Sequence, residues 1–250
     1  MPQITIQRTT SDIDHLFYKL PWKIYRNDPV WIPPLISDIQ SVFDPEQNAF
    51  YDKGETARFL AFRNENPVGR IAAMVNFSKD FESDPALGGF GFFECVNDQE
   101  VASALFRAAE TWFAAKDLDG MRGPINFGET DRWWGLLIEN FDEAPTYGLN
   151  YNPPWYAELI EGYGMERHHD QLSYKIRLDQ PINSRLVRIA QRVQRRDDVT
   201  IRPIRMNSIA EEAETIRTIY NRAWEEMDIE NFFDTFTPLV HTERRRRCGK

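Results

Sequence analysis

The 250-residue chain has only two cysteines, Cys95 and Cys248, too few for the disulfide framework of a small secreted domain. Cys95 lies in an apolar stretch and reads as a small core residue. Long apolar runs are missing as well. No segment approaches the about 20 residues that a membrane helix needs, and the opening "MPQITIQRTT" lacks the apolar core of a signal peptide. A soluble, cytoplasmic protein with no membrane partner is the expectation. Positive charge is in deficit, with 30 Lys and Arg against 39 Asp and Glu, a net charge of -9. Phosphate backbones are repelled on average, which excludes nucleic acid as a general partner. Metal-ligand spacing is absent too: His168 and His169 are adjacent, and neighbouring side chains on a strand point apart.

What is present is core-forming material, 42% hydrophobic residues with 17 Phe, enough to exclude wholesale disorder. "ITIQR" (4–8) alternates and predicts a strand. Ser11 and Asp14 resemble a capping box ahead of Ile13, Leu16, Phe17 and Leu20, and Pro21 is expected to end or kink that helix at Leu20. A short helix over "SDIQSVFDP" follows. "ARFLAFRN" and "PVGRIAAMVNF" are two strands joined by the turn-rich "NEN", and "GFGFFECV" is a third. Asp98 is a good N-cap for a helix whose apolar face carries Val101, Leu105, Ala108, Trp112 and Ala115. "MRGPIN" predicts a fourth strand, "DRWWGLLIENF" and "PWYAELIEGYG" two helices, and "HDQLSYKIRL" a returning strand.

Strands interleaved with helices in this order give an α/β (α+β) domain, a mixed sheet flanked by helices, over residues 1–180. Residues 181–198 form an amphipathic linker helix, with Arg185, Arg188, Arg192 and Arg195 on one stripe and Leu186, Ile189 and Val193 on another. Those arginines can meet an acidic group or simply form a solvated face. Residues 199–240 read as the start of a partial second copy, since Val199-Thr200-Ile201-Arg202 echoes Ile4-Thr5-Ile6-Gln7. The chain is expected to be truncated in that copy, with a non-native or disordered tail over 241–250.

The element order, closed by "YAELIEGYGMERHHDQLSYKI", resembles the GCN5-related N-acetyltransferase (GNAT) superfamily. More narrowly, "LPWKIYRNDPVWIPPL", "GFGFFECVND", "GPINFGETDRWWG" and "NYNPPWY" resemble its bacterial double-domain members. The resemblance implies an acyl-CoA N-acyltransferase-like fold and acetyl transfer from acetyl-CoA to a small-molecule amine, with no metal. In that superfamily the cofactor pyrophosphate sits at the start of the central helix, on N–H groups of a glycine-rich loop. The matching turn here, Val96-Asn97-Asp98-Gln99-Glu100, has no glycine and no arginine. Asp98 would accept the N–H groups that a phosphate wants. The superfamily's tyrosine acid falls at Ile160, with Tyr156 one helical turn earlier. The first domain is therefore expected to be degenerate for CoA binding, the cofactor to belong to a second domain, and the fragment to be inactive alone. The alternative is a non-catalytic substrate-binding or scaffold domain of a tandem protein, with an intramolecular partner domain.

No catalytic residue stands out. Candidate substrate-binding residues are Asn126, Glu129, Asp131, Arg132, Trp133 and Trp134 in "GPINFGETDRWWG", with Asn152 and Tyr156 in "NYNPPWY". Polar groups at a strand exit beside a tryptophan pair can bind or deprotonate an amine. The same residues can equally be an N-cap, an ion pair and packed rings.

Overall fold

The computed structural model describes residues 3–77, 86–128, 131–177, 179–196, 198, 200 and 202–224. The chain divides into two compact units, Met1–Gln171 and Leu172–Lys250. In the first, β1 (Ile4–Arg8), β2 (Gly54–Arg63), β3 (Asn66–Asn76), β4 (Leu87–Cys95) and β5 (Gly120–Arg122) form one sheet in the order β1-β2-β3-β4-β5. All neighbours are antiparallel except β4 and β5, which are parallel and joined through a helix. Helices α1 (Asp14–Ile24), α2 (Ile36–Val42), α3 (Gln99–Ala114) and α4 (Tyr156–Glu161) complete this unit. The mixed sheet flanked by helices is the α/β (α+β) architecture expected from the sequence.

The period of two along β2 explains the layering. Ala57, Phe59 and Ala61 join Ile71 and Ala73 in a core with Val101, Leu105, Phe106, Ala109 and Phe113 of α3. Leu60 and Phe62, on the other face, pack with Ala72 and Met74 against Phe17, Leu20, Ile39 and Val42 of α1 and α2. The α3 face is rotated from the expected one: Phe106 and Phe113 are buried, while Ala108 and Trp112 are only partly so. Gly88 permits this close packing, because a Cβ there would lie 2.3 Å from the Phe113 ring. The β2–β3 turn places Asn64 and Glu65 at φ 49° and 65°, the left-handed pair that matches strand twist.

Helix α1 departs from expectation by continuing through Pro21. Proline lacks the N–H that would satisfy the carbonyl four residues earlier, that of Phe17. The structure supplies a substitute: Nη1 of the buried Arg70, on β3, donates to the Phe17 oxygen at 2.5 Å. A helix hydrogen bond lost to sequence is thus replaced from the sheet.

Residues 131–141 form turns and irregular backbone rather than the expected helix. Trp133, Gly135 and Asn140 adopt φ of 46°, 85° and 61°, which no α-helix accommodates. Their backbone is held from outside, with Trp133 N–H donating to the Gly148 oxygen and Gly135 N–H to that of Pro124. Residues 169–177 carry no strand either. Their alternating Leu172, Tyr174 and Ile176 are exposed.

In the second unit, α5 (Ser184–Gln194) and α6 (Ile209–Trp224) are helical. The described residues between 198 and 205 contain no strand. Arg202 and Arg205 donate instead to the Glu212 carboxylate of α6, at 2.8 and 2.7 Å. The expected tail over 241–250 lies outside the described residues, as do residues 225–240.

Candidate functional site

The passage from β4 into α3 begins with a bulge. Between the pairs Ala72–Gly91 and Arg70–Glu94, β4 spends one more residue than β3, with Phe92 at φ 49°. Phe92 consequently turns to Phe43 and Trp133, while its neighbour Phe93 stacks on Phe106 of α3. A bulge re-aims the side chains that follow it. Here it delivers Glu94 to the interior.

Glu94 is an acid inside an apolar strand, and its neighbours show how it is tolerated. Oε2 accepts from the hydroxyls of Tyr25 and Tyr156, each at 2.8 Å, and Oε1 from Nη2 of Arg70 at 3.3 Å. Burial pushes the Glu94 carboxyl above the usual range, against the opposing pull of Arg70 and the two tyrosines. Burial likewise raises both tyrosines, with the Glu94 charge adding to it, so they act as donors. A buried charge needs such a set of partners. Both carboxylate oxygens accept these bonds, so the contacts account for how Glu94 is held beside Arg70.

Four residues on, Asp98 caps α3. Its Oδ1 accepts from the N–H groups of Glu100 at 3.0 Å and Val101 at 3.3 Å, while Oδ2 pairs with Nη1 of Arg63 at 2.8 Å. Burial works against the Asp98 anion, but the Arg63 hydrogen bond and the two N–H groups outweigh it and hold the carboxyl below its ordinary range. The Gln99 side chain donates to the Leu159 oxygen of α4. At the end of β4, the Cys95 N–H donates to the Tyr156 hydroxyl at 2.8 Å and the Trp155 indole donates to the Cys95 oxygen at 3.2 Å. Burial pushes the Cys95 thiol up, which leaves it an inert core group.

A CoA pyrophosphate does not fit this helix end. The N–H groups of Glu100 and Val101 are engaged by the protein's own carboxylate, and Glu100 adds a second negative charge in the first turn. The backbone groups of Cys95 are engaged by the side chains of Trp155 and Tyr156. Among the described residues, no group of three or more His, Cys, Asp or Glu side chains is arranged to hold a metal ion.

The other sequence-derived candidates fall into two sets. Asn152 is buried and clamps the loop, its Oδ1 accepting from the Leu137 N–H and its Nδ2 donating to the Leu137 oxygen. Tyr156 lies in the Glu94 network. In the other set, Trp133 packs on Phe92 and Arg132 lies over the Tyr147 ring at 5.5 Å, with the exposed Asp131 beside it at 3.8 Å. Trp134 is half-buried. Asn126 is buried, and its Oδ1 has no partner among the described residues. Glu129 lies outside them. Sequence reasoning passed over Glu94 and Arg70, although a lone acid in "GFGFFECV" and a lone base in "PVGRIAAMV" are the signal of a buried pair.

No known family model matches the chain. It is 31% identical over 234 residues to "Bacterial ceramide synthase" of Caulobacter vibrioides, covering 92% of this chain and 58% of that protein. To Escherichia coli "Protein YghO" it is 31% identical over 210 residues, covering 84% of this chain and 53% of that one. The chain thus spans about half the length of the curated relatives it matches. Similar solved structures include AAC(6')-Iy in complex with the bisubstrate analogue CoA-S-monomethyl-acetylneamine, at 14% identity and TM-score 0.41, over 70% of this chain and 99% of that one. A structure described as a predicted acetyltransferase with acetyl-CoA from Clostridium acetobutylicum overlaps at 8% identity and TM-score 0.43, over 69% and 96%.

Proposed function

We propose that the chain belongs to an N-acyltransferase that joins an acyl group, supplied as a CoA thioester, to the amine of a long-chain amino alcohol. The observation that carries this reading is the 31% identity to a bacterial ceramide synthase along 92% of the chain. Ceramide synthesis is N-acylation: the amine nitrogen bonds to the acyl carbonyl carbon and the CoA thiol leaves. An acyltransferase-like sheet is consistent with it. Acetyl-CoA and a small amine are the narrower version suggested by the sequence resemblance.

Within this reading the Met1–Gln171 unit is the scaffold and acceptor-binding part, because the α3 end is filled by Asp98. The CoA site belongs to a further domain of the longer protein, and no step is assigned to the α3 end. Acceptor contacts come from the irregular segment after β5, with Asp131, Arg132, Trp133, Trp134 and Asn126 as candidates together with Glu129. Asn152 supports that segment from beneath, through Leu137, while Tyr156 holds Glu94 behind it in β4.

The test is a chimera in which this chain replaces the matching 234 residues of the Caulobacter protein. It is incubated with a long-chain acyl-CoA and a long-chain amino alcohol, and N-acylated product is read by mass spectrometry. Product formation is expected. A folded chimera that transfers only acetyl groups, or none, overturns the reading. In an active chimera, Trp133→Ala raises KM for the amine; an unchanged KM with weakened assembly favours a purely structural unit.

A further inference from the structure

Helix α5 has a surface that the described residues of its own unit leave uncovered. Leu186, Ile189, Ala190 and Val193 recur at i, i+3, i+4 and i+7, one helical face. The four side chains are exposed, Leu186 at 58% and Ile189 at 49%. Arg185, Arg188, Arg192 and Arg195 recur at i, i+3, i+7 and i+10 on a separate stripe that flanks it. Among the described residues these four arginines have no ion-pair partner, whereas Arg177 and Arg196 pair with Asp179 and Asp198. From Gln180 through Arg196 the sequence has no acidic residue, in a chain whose net charge is -9.

We infer that α5 is an interfacial helix that docks the protein on an anionic lipid bilayer. The segregation of apolar and cationic residues, with low overall hydrophobicity, is the pattern of a helix lying in a headgroup plane. The cations are all arginine, whose planar fork binds phosphate oxygens two at a time. An acid-free helix in an acidic chain confines attraction to this surface, so the bilayer meets α5 first. Neutral lipid would satisfy the apolar face alone, and an anionic surface satisfies both. Leu172, Tyr174 and Ile176, exposed in the same unit, add apolar area. At eleven residues and about 1.5 Å per residue the helix lies on a membrane and does not cross it. The sequence-based expectation of no membrane partner addressed spanning segments and signal peptides, which a surface helix needs neither of. The inference stands apart from the acyltransferase reading and can fail without it.

The full chain is sedimented with vesicles of phosphatidylglycerol and phosphatidylcholine, or of phosphatidylcholine alone, at 0.1 M salt. Binding to the anionic vesicles only is expected. Arg188→Gln with Arg192→Gln reduces partitioning about thirty-fold, at about 1 kcal/mol per cation near an anionic surface. Leu186→Asn with Ile189→Asn weakens it further at unchanged charge. Raising the salt to 0.5 M releases the unaltered chain, a readout that needs no variant to fold. Equal binding to both vesicle types, or to neither, overturns the inference. So does strong hydrogen-exchange protection of residues 186–194 without vesicles, which would show that protein already covers the face.

Discussion

Three arginines of the first unit and four of the second meet opposite fates. Arg58, Arg63 and Arg70 leave the sheet and end on Asp14, Asp98 and Glu94, at 2.6, 2.8 and 3.3 Å. Arg185, Arg188, Arg192 and Arg195 leave α5 and end on nothing among the described residues. A unit that neutralises its own charges uses them for internal order, and its helix terminus is closed to outside anions. A helix with unspent cations beside an uncovered apolar face is built to meet something else. In the Met1–Gln171 unit these charges serve internal order, and on the membrane inference the cations of α5 serve an outside partner.

The comparison breaks most sharply at Arg70. Arg70→Met leaves Glu94 buried without its cation and the Phe17 carbonyl without a donor, at an expected cost of about 3–5 kcal/mol in urea unfolding. Adding Glu94→Leu recovers part of that loss, since an apolar pair is tolerated better than a lone charge. No recovery would show that the tyrosine hydroxyls, rather than the charges, hold the site. Tyr156→Phe removes a donor to Glu94 and strands the Cys95 N–H, for about 1.5–3 kcal/mol.

Asp98→Asn is smaller, within about 1 kcal/mol at neutral pH, because Asn still caps the helix and only the charge beside Arg63 is lost; its pH dependence tells the two carboxyls apart. The Asp98 carboxyl is held low in the folded chain. Its contribution is present above the unfolded carboxylate range and disappears as pH falls through the folded value. The Glu94 carboxyl is held high, so folding favours its protonated form and its contribution shrinks as pH rises through the folded value. Unfolding curves at pH 3 to 7 should therefore show the Asp98→Asn deficit shrinking toward acid. Glu94→Gln should lose stability relative to wild type more at the acid end. Parallel shifts for both variants would contradict this assignment. Ile189→Gln on α5 comes last, within about 0.5 kcal/mol; a larger loss means that the face is already packed.

The strands and the Asp98 cap were legible in the sequence because each rests on local chemistry: alternation, a left-handed Asn-Glu turn, a carboxylate before a helix. The misses rest on distant partners. "DRWWGLLIENF" has a helical pattern of apolar residues, yet its backbone is fixed by Gly148, Pro124 and Asn152, none of them in the segment. "HDQLSYKIRL" alternates like a strand, but alternation cannot say whether a sheet edge will take it. Among the site candidates, Tyr156 and Asn152 were found for their position beside a proline turn, and the structure puts both to work beneath the surface. Glu94, which organises Tyr156, was overlooked because one acid in an apolar strand has no visible partner until β3 and α1 are in place.

The bond from Arg70 to the Phe17 carbonyl also sets an order of events. An ordinary helix closes its hydrogen bonds within a turn and can form before anything else does. Helix α1 cannot: the partner of Phe17 lies 53 positions further along the chain, and a loop of that size must close first. The middle of α1 should therefore consolidate late, after the β2–β3 hairpin. Substitutions at Phe17 or Pro21 should then accelerate unfolding while leaving the folding rate nearly untouched.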